Sequence, residues 1–243
     1  MGKTKKRFAA FLGVFAVLTF GLIREGRAGQ ADLERLLSRS EEVLNEIMAT
    51  PDESIPEELL ARCRAIAIYP SLIKGGFIAG ALYGDGVVLR RDKGTGNWGP
   101  VSFSKIRGLS AGLQIGIQAT DLVLVVLNNR GLESLLSSRI TLGADFAISV
   151  GPVGRTTLIG TDLPLKAGIL SYSKSRGLFG GAALDGVLVM PDTAGNRLYY
   201  GKDISAKEIL LGNNVVEIQP SSRRLIETLT RHSNSYKSFF KKK

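Results

Sequence analysis

The stretch AIAIYPSLIKGGFIAGALYGDGVVLRR, residues 65–91, decides how the chain folds. It consists of short apolar runs rich in Ile, Val, Leu and Ala, broken every few residues by glycine or proline. Runs of this length are strand lengths, and their β-branched content favours extended backbone. Asp85-Gly86 is a dipeptide that closes tight hairpins, because glycine takes the left-handed backbone those turns need. The stretch therefore predicts β structure punctuated by glycine turns.

The same pattern continues downstream to Gly201. It runs through NWGPVSF (97–103), SAGLQIGIQ (110–118), DLVLVVL (121–127), TLGADFAISVG (141–151), KAGILSYS (166–173), LFGGAALDGVLVM (178–190) and NRLYYG (196–201), each read as a strand. A helical insert is expected at Leu132–Ser138. A short helix is expected at Ser205–Leu211, with Ser205 as N-cap, Glu208 three residues into the helix and Gly212 as C-cap. The segments 74–99 and 176–201 echo one another, with Asp85-Gly86-Val87 matching Asp185-Gly186-Val187 and Asp92 matching Asp192. Two hairpins sharing turn chemistry explain the echo; a pseudo-twofold barrel is the bolder alternative.

Upstream, residues 30–49 read as an amphipathic helix. Leu33, Leu36, Leu37, Leu44, Ile47 and Met48 fall on one stripe. Pro51 ends it, and a second short helix opens at Ser54 with Glu57 at capping-box spacing. Cys63, the only cysteine, sits among Leu59, Leu60 and Ile66 and reads as a small core residue.

Of the 243 residues, 32 are basic and 22 acidic, but the basicity lies at the two ends. Residues 1–28 carry a net +5 and residues 220–243 a net +6, while the stretch between is −1. A whole-domain basic footprint for duplex nucleic acid is therefore not supported, and no nucleic-acid partner is expected. Lys3, Lys5, Lys6 and Arg7 precede an uncharged apolar run, residues 8–23, and a small-residue site at Gly26-Arg27-Ala28. This is the layout of a secretory signal peptide cleaved after Ala28, with Ala31 as the second choice. The rival is an uncleaved anchor over 8–23, although that run is short for a full span. At the other end, Leu225, Leu229, His232, Tyr236 and Phe240 recur at helical steps, with Phe239 beside them and Lys241, Lys242 and Lys243 closing the chain. A basic amphipathic helix is expected there; a disordered solubilising terminus is the alternative.

Catalytic patterns are weak. Gly108-Leu109-Ser110-Ala111-Gly112 matches a nucleophile elbow, with His232 downstream and Asp145 or Asp162 between. That device needs a strand before the serine and a helix after it, whereas Ser110 is followed by strand-like alternation. No phosphate loop is present, because no Lys-Ser or Lys-Thr follows the glycine clusters. One cysteine and one histidine cannot build a zinc site. Asp85, Asp121, Asp145, Asp185 and Asp192 are read as lying mostly at turn positions. Neither a catalytic residue nor a cofactor is expected.

An ordered set of segments carries a resemblance. PSLIKGGF (70–77), WGP (98–100), GLSAGLQIGIQATDLVLV (108–125), LGADFAISVGPVGR (142–155), YSKSRGLFGGAALDG (172–186) and NRLYYG (196–201) together resemble the SYLF domain, a lipid-binding module. The resemblance covers about residues 35–212 and is closest to an exported bacterial branch. It implies binding of phospholipids, with acidic or phosphatidylinositol headgroups favoured in eukaryotic relatives. Those relatives include actin regulators; actin is not expected to meet an exported chain.

These readings give an α+β, β-dominated fold: one Gly-rich antiparallel β domain, barrel- or sandwich-like, between N-terminal helices and a C-terminal basic amphipathic helix. The expected divisions are 1–28 signal peptide, 29–64 helices, 65–219 β-rich body and 220–243 tail. The expected function is non-enzymatic phospholipid binding in the cell envelope, on the periplasmic or secreted side and peripheral to the membrane. A structural or partner-docking envelope protein is the alternative, and a serine hydrolase using Ser110 a remote one. Lys74, Arg90 and Arg91 of the first hairpin and Lys174 and Arg176 of the second are candidate phosphate contacts, although each could simply be solvated. Tyr236, Phe239, Phe240 and the three terminal lysines are candidates to sit at an anionic bilayer.

Overall fold

The computed structural model describes residues 29–49, 54–76, 79–111, 116–145, 147–152, 168–175, 178–180, 186–212 and 215–240. The expected signal peptide, Arg176, Asp162, Asp185 and Lys241 to Lys243 lie outside them.

Among the described residues nine strands form one sheet: β1 Ala65–Gly76, β2 Ala79–Arg91, β3 Trp98–Ala111, β4 Gly116–Val126, β5 Ile140–Leu142, β6 Ile148–Val150, β7 Ile169–Ser175, β8 Leu178–Gly180 and β9 Val187–Pro191. Their order is β5-β9-β3-β2-β1-β4-β7-β6, with β8 attached to β7. Every pair is antiparallel except β6 with β7. The described helices are α1 Gln30–Met48, α2 Glu57–Arg62, α3 Asn129–Leu135, α4 Thr193–Tyr200, α5 Ala206–Leu211 and α6 Arg223–Phe240, the last entered through a 3-10 turn at Pro220–Ser222. The β-dominated α+β fold expected from the sequence is the fold observed.

The near-continuous apolar run at 65–69 follows from burial on both faces of the sheet. Ile66 and Ile68 join Val87, Leu89, Val101, Phe103, Val123 and Val125 in a core roofed by α1, α2 and α6. Ala65, Ala67 and Tyr69 point the other way, into a core with Val88, Leu124 and Val126 that α3, α5 and β5 close. Cys63 is buried, as expected, and burial pushes its thiol up to about 12. Burial of these two cores stabilises the fold at about 25 cal/mol per Å² of apolar surface removed from water.

Several expectations are corrected. Asp85-Gly86 does not close a hairpin: it pairs mid-strand with Lys105 and Ser104, and β2 pairs antiparallel with β1 on both sides of it, out to Gly80 opposite Gly76. Gly186, its counterpart, does sit in a turn, at φ +77°. NRLYYG is not a strand but most of α4, because Asp192 caps the helix through Gly195 N and Gly201 ends it at φ +67°. The helix α2 begins after Pro56 rather than at Ser54. The insert α3 starts at Asn129, since Asn128 accepts from Gly131 N. TLGADFAISVG is two strands split by a turn in which Asp145 accepts from Thr141 N. Asp121 also lies mid-strand, in β4, where its Oδ1 accepts from the Ser71 N–H at 2.8 Å. Ser71 has φ +54° and interrupts the register of β1 with both neighbours, so the carboxylate holds a strained bulge in place. The capping box at Ser205 and Glu208 and the C-cap at Gly212 are formed as expected.

Candidate functional site

Neighbours in a strand point to opposite faces, and Arg90 and Arg91 divide accordingly. Arg91 is buried; its Nη1 donates to the Ala61 carbonyl, and its Nε and Nη2 have no hydrogen-bond partner. Arg90 donates to the Leu210 carbonyl at 3.0 Å and lies 3.8 Å from the Asp92 carboxylate. Hydrogen bonds from the Thr95 backbone and hydroxyl hold that carboxyl below its ordinary value, with Gly94 N and the Arg90 charge adding to the effect. Arg90 also lines an open cleft of about 670 Å³ with Trp98, Pro100, Leu210, Val215 and Ile218. Val215 and Ile218 are exposed on its rim.

The other candidate residues do not join this cleft. Arg90 pairs with Ala65 at one end of β1, and Lys74 lies nine residues along that strand, opposite Leu82 and Gln118. At about 3.3 Å per residue that is roughly 30 Å. Lys174 on β7 donates to Glu46 of α1 at 2.7 Å. Of Tyr236, Phe239 and Phe240 only the helical backbone is described, on the last turns of α6. The first half of α6 is committed to the core, with Leu225 and Leu229 buried and Trp98 Nε1 donating to Ser233 Oγ at 3.2 Å.

Ser110 lies within β3 opposite Gly80, with no described helix directly after it. His232 adjoins Ser233, which contacts Trp98 at the far end of that strand. Twelve residues of strand separate Trp98 from Ser110, roughly 40 Å, so the two groups do not form a catalytic pair. Burial, then the charge of Arg231, lowers the His232 pKa.

A basic and aromatic patch escapes the sequence reading. The Arg107 guanidinium stands 6.0 Å over the ring of Tyr83, which is 48% exposed, and donates to the Ile106 carbonyl at 2.8 Å. Asp85 lies 3.9 Å from Arg107, and Lys105 pairs with Asp192 at 3.0 Å. The signal is present in β3: Val101 and Phe103 are apolar, and the next two residues on that face, Lys105 and Arg107, are basic. The change marks where the helical roof stops.

Residues 107–232 match the family model Ysc84, described as "Las17-binding protein actin regulator". The chain is 35% identical over 189 residues to the SH3 domain-containing YSC84-like protein 1 of Rattus norvegicus, covering 77% of this chain and 54% of that one. It is 37% identical over 164 residues to the protein of that name in Homo sapiens, covering 67% and 47%. Against LAS seventeen-binding protein 3 of Saccharomyces cerevisiae it is 34% identical over 164 residues, covering 66% and 35%. The chain thus spans about half the length of the mammalian relatives and about a third of the yeast one.

Proposed function

This chain belongs to the Ysc84 (SYLF) family, and from that premise we propose that it is a non-enzymatic phospholipid-binding protein of the cell envelope that favours acidic headgroups. The observation that carries this reading is the exposed Arg107–Tyr83 pair, a cation and an amphipathic ring side by side at the margin of the helical roof. Arginine with an aromatic neighbour suits a bilayer interface, where the charge meets phosphate and the ring lies at headgroup level. The net +6 of residues 220–243 adds attraction to anionic lipid. Lys74, Lys174, Arg176 and the terminal lysines remain candidates for further phosphate contacts. The non-enzymatic part is supported by the separation of Ser110 from His232. Actin is left out of the proposal, because residues 1–28 read as an export leader.

Flotation of the protein lacking residues 1–28 with vesicles tests the proposal. Binding to phosphatidylglycerol-containing vesicles, weaker on phosphatidylcholine alone and weakened by salt, is expected. A second reading, docking of a protein partner, is favoured by the open cleft with its apolar rim and by relatives named for binding Las17. It would replace the first if no vesicle bound and a captured partner were lost on Ile218→Asp.

A further inference from the structure

The sheet outgrows its helices. The face roofed over Val87, Phe103 and Val123 continues outward along β1 to β4, past the point where Glu46 of α1 meets Lys174. Register places Arg107, Tyr83, Ile73 and Ala119 in one row across the four strands on that face. Leu109, Ala81, Gly75 and Ile117 form the next row outward. Tyr83, Ala81, Arg107 and Ala119 are exposed. The four strands then finish at one level, with Gly76 opposite both Gly80 and Gly116 and Ala79 opposite Ala111.

Charge is zoned along the same direction. Apart from Arg107, the outer sequence is uncharged from 75 to 84 and again from 108 to 120. Just inward lies a belt of ionised side chains: Lys105 with Asp192, Arg107 with Asp85, Asp121 at the bulge, and Lys174 with Glu46. In register, Lys74 of β1 stands at the belt's outer margin, opposite Leu82. An uncharged stretch of sheet with Ala81 and Ala119 exposed, bounded by paired charges, is the profile of a surface that meets hydrocarbon past a headgroup layer.

We propose that the outer ends of β1 to β4 form a membrane-docking edge that enters the interfacial zone of an anionic bilayer, with Arg107 and Tyr83 at headgroup level. The inference rests on the lipid reading and adds which surface is used and how deep it sits. From the row of Arg107 to the row of Gly76 is three residues, about 10 Å. This matches the roughly 5–10 Å by which interfacial apolar faces are buried. Paired strands can enter this zone because their backbone groups are already bonded to each other, so little polar surface is stripped of water. Among the described residues no helix is long and apolar enough to cross a membrane, and the edge needs none.

The test uses Ala81→Glu with Ala119→Glu in the protein lacking residues 1–28. Both sites are exposed, so the fold is retained, as a thermal melt would verify. Ala194→Glu, at an exposed position of α4, is the control. Partition onto phosphatidylglycerol-containing vesicles should fall roughly tenfold or more for the double variant and stay unchanged for the control. Ala81→Cys carrying an environment-sensitive fluorophore should shift to the blue on those vesicles; native Cys63 is buried and escapes labelling. Undiminished binding with an unshifted probe overturns the docking edge and leaves the lipid reading standing. Failure of the unmodified protein to bind any vesicle removes both. A vesicle-blind dimer made monomeric by the double variant would assign the edge to a second copy of the chain and overturn the proposal.

Discussion

Gly86 shows how one hydrogen atom can be required in a strand. A Cβ at this position would stand 2.2 Å from Tyr69 Cδ1 and 2.5 Å from the Ile68 carbonyl. Tyr69 cannot swing aside, because its ring is fully buried and its hydroxyl shares a 2.9 Å hydrogen bond with Ser104. Burial raises that phenol's pKa, so it stays neutral. Gly86→Ala should cost about 1–3 kcal/mol, the range for overfilling a packed site, measurable by urea denaturation. Gly99→Ala, whose nearest atom would be 3.6 Å away, should be close to neutral. The same glycine explains why Asp85-Gly86 misleads as a hairpin signal. Asp-Gly is informative about its own backbone, but the residue that demands Gly86 lies across the strand pair, outside any local window.

At the scale of elements, α4 shows what is legible and what is not. Asp192 reads in the sequence as a local backbone stabiliser and acts as one, and the match of Asp92 with Asp192 has a physical basis. Asp92 accepts from Gly94 N and Thr95 N, and Asp192 from Gly195 N, each just past the end of a strand. Beyond these carboxylates the two segments diverge, into a turn leading to β3 in one case and a helix in the other. The β-prone side chains of Tyr199 and Tyr200 suggest a strand, yet they form a helix because tertiary contacts decide. Tyr200 donates to the Val101 carbonyl at 2.6 Å, and Asn196 Oδ1 accepts from Phe103 N at 2.7 Å. Asn196 thus satisfies a donor of β3 next to the last β9 pairing, Ser104 with Pro191. Asn196→Leu should leave that buried N–H unpaired and cost about 1–3 kcal/mol. Amide exchange at Phe103 should accelerate with it.

For the whole molecule, strand content and the capping of α5 follow from periodicity and composition. The joining of the terminal helices does not, because amphipathic stripes show that a helix buries a face without showing against what. The stripe of α6 looks like a membrane-seeking face; its first half instead seals the core beside Leu37, Leu44 and Leu60. Leu229→Ala should therefore cost about 2–5 kcal/mol, as for other fully buried leucines, read as a lowered melting midpoint. Removing residues 220–243 would unfold the helical layer along with any lipid contact, so point substitutions at the sheet edge are the sharper probe. The candidate site is only partly legible for a related reason. Proximity in sequence groups the basic residues, whereas the register of β1 sets Arg90 and Lys74 at opposite ends of the sheet.

The pairing of the first and last described helices also sets a schedule. Thr228 Oγ1 donates to Glu41 Oε1 at 3.4 Å, across 187 residues of chain. A polypeptide that emerges N-terminus first, from a ribosome or through a translocation pore, presents α1 and the inner sheet long before Leu225 and Leu229 arrive. Until then one face of the sheet has no complete cover, and closure waits for nearly the whole length of chain. Such a fold postpones its own completion until α6 is free.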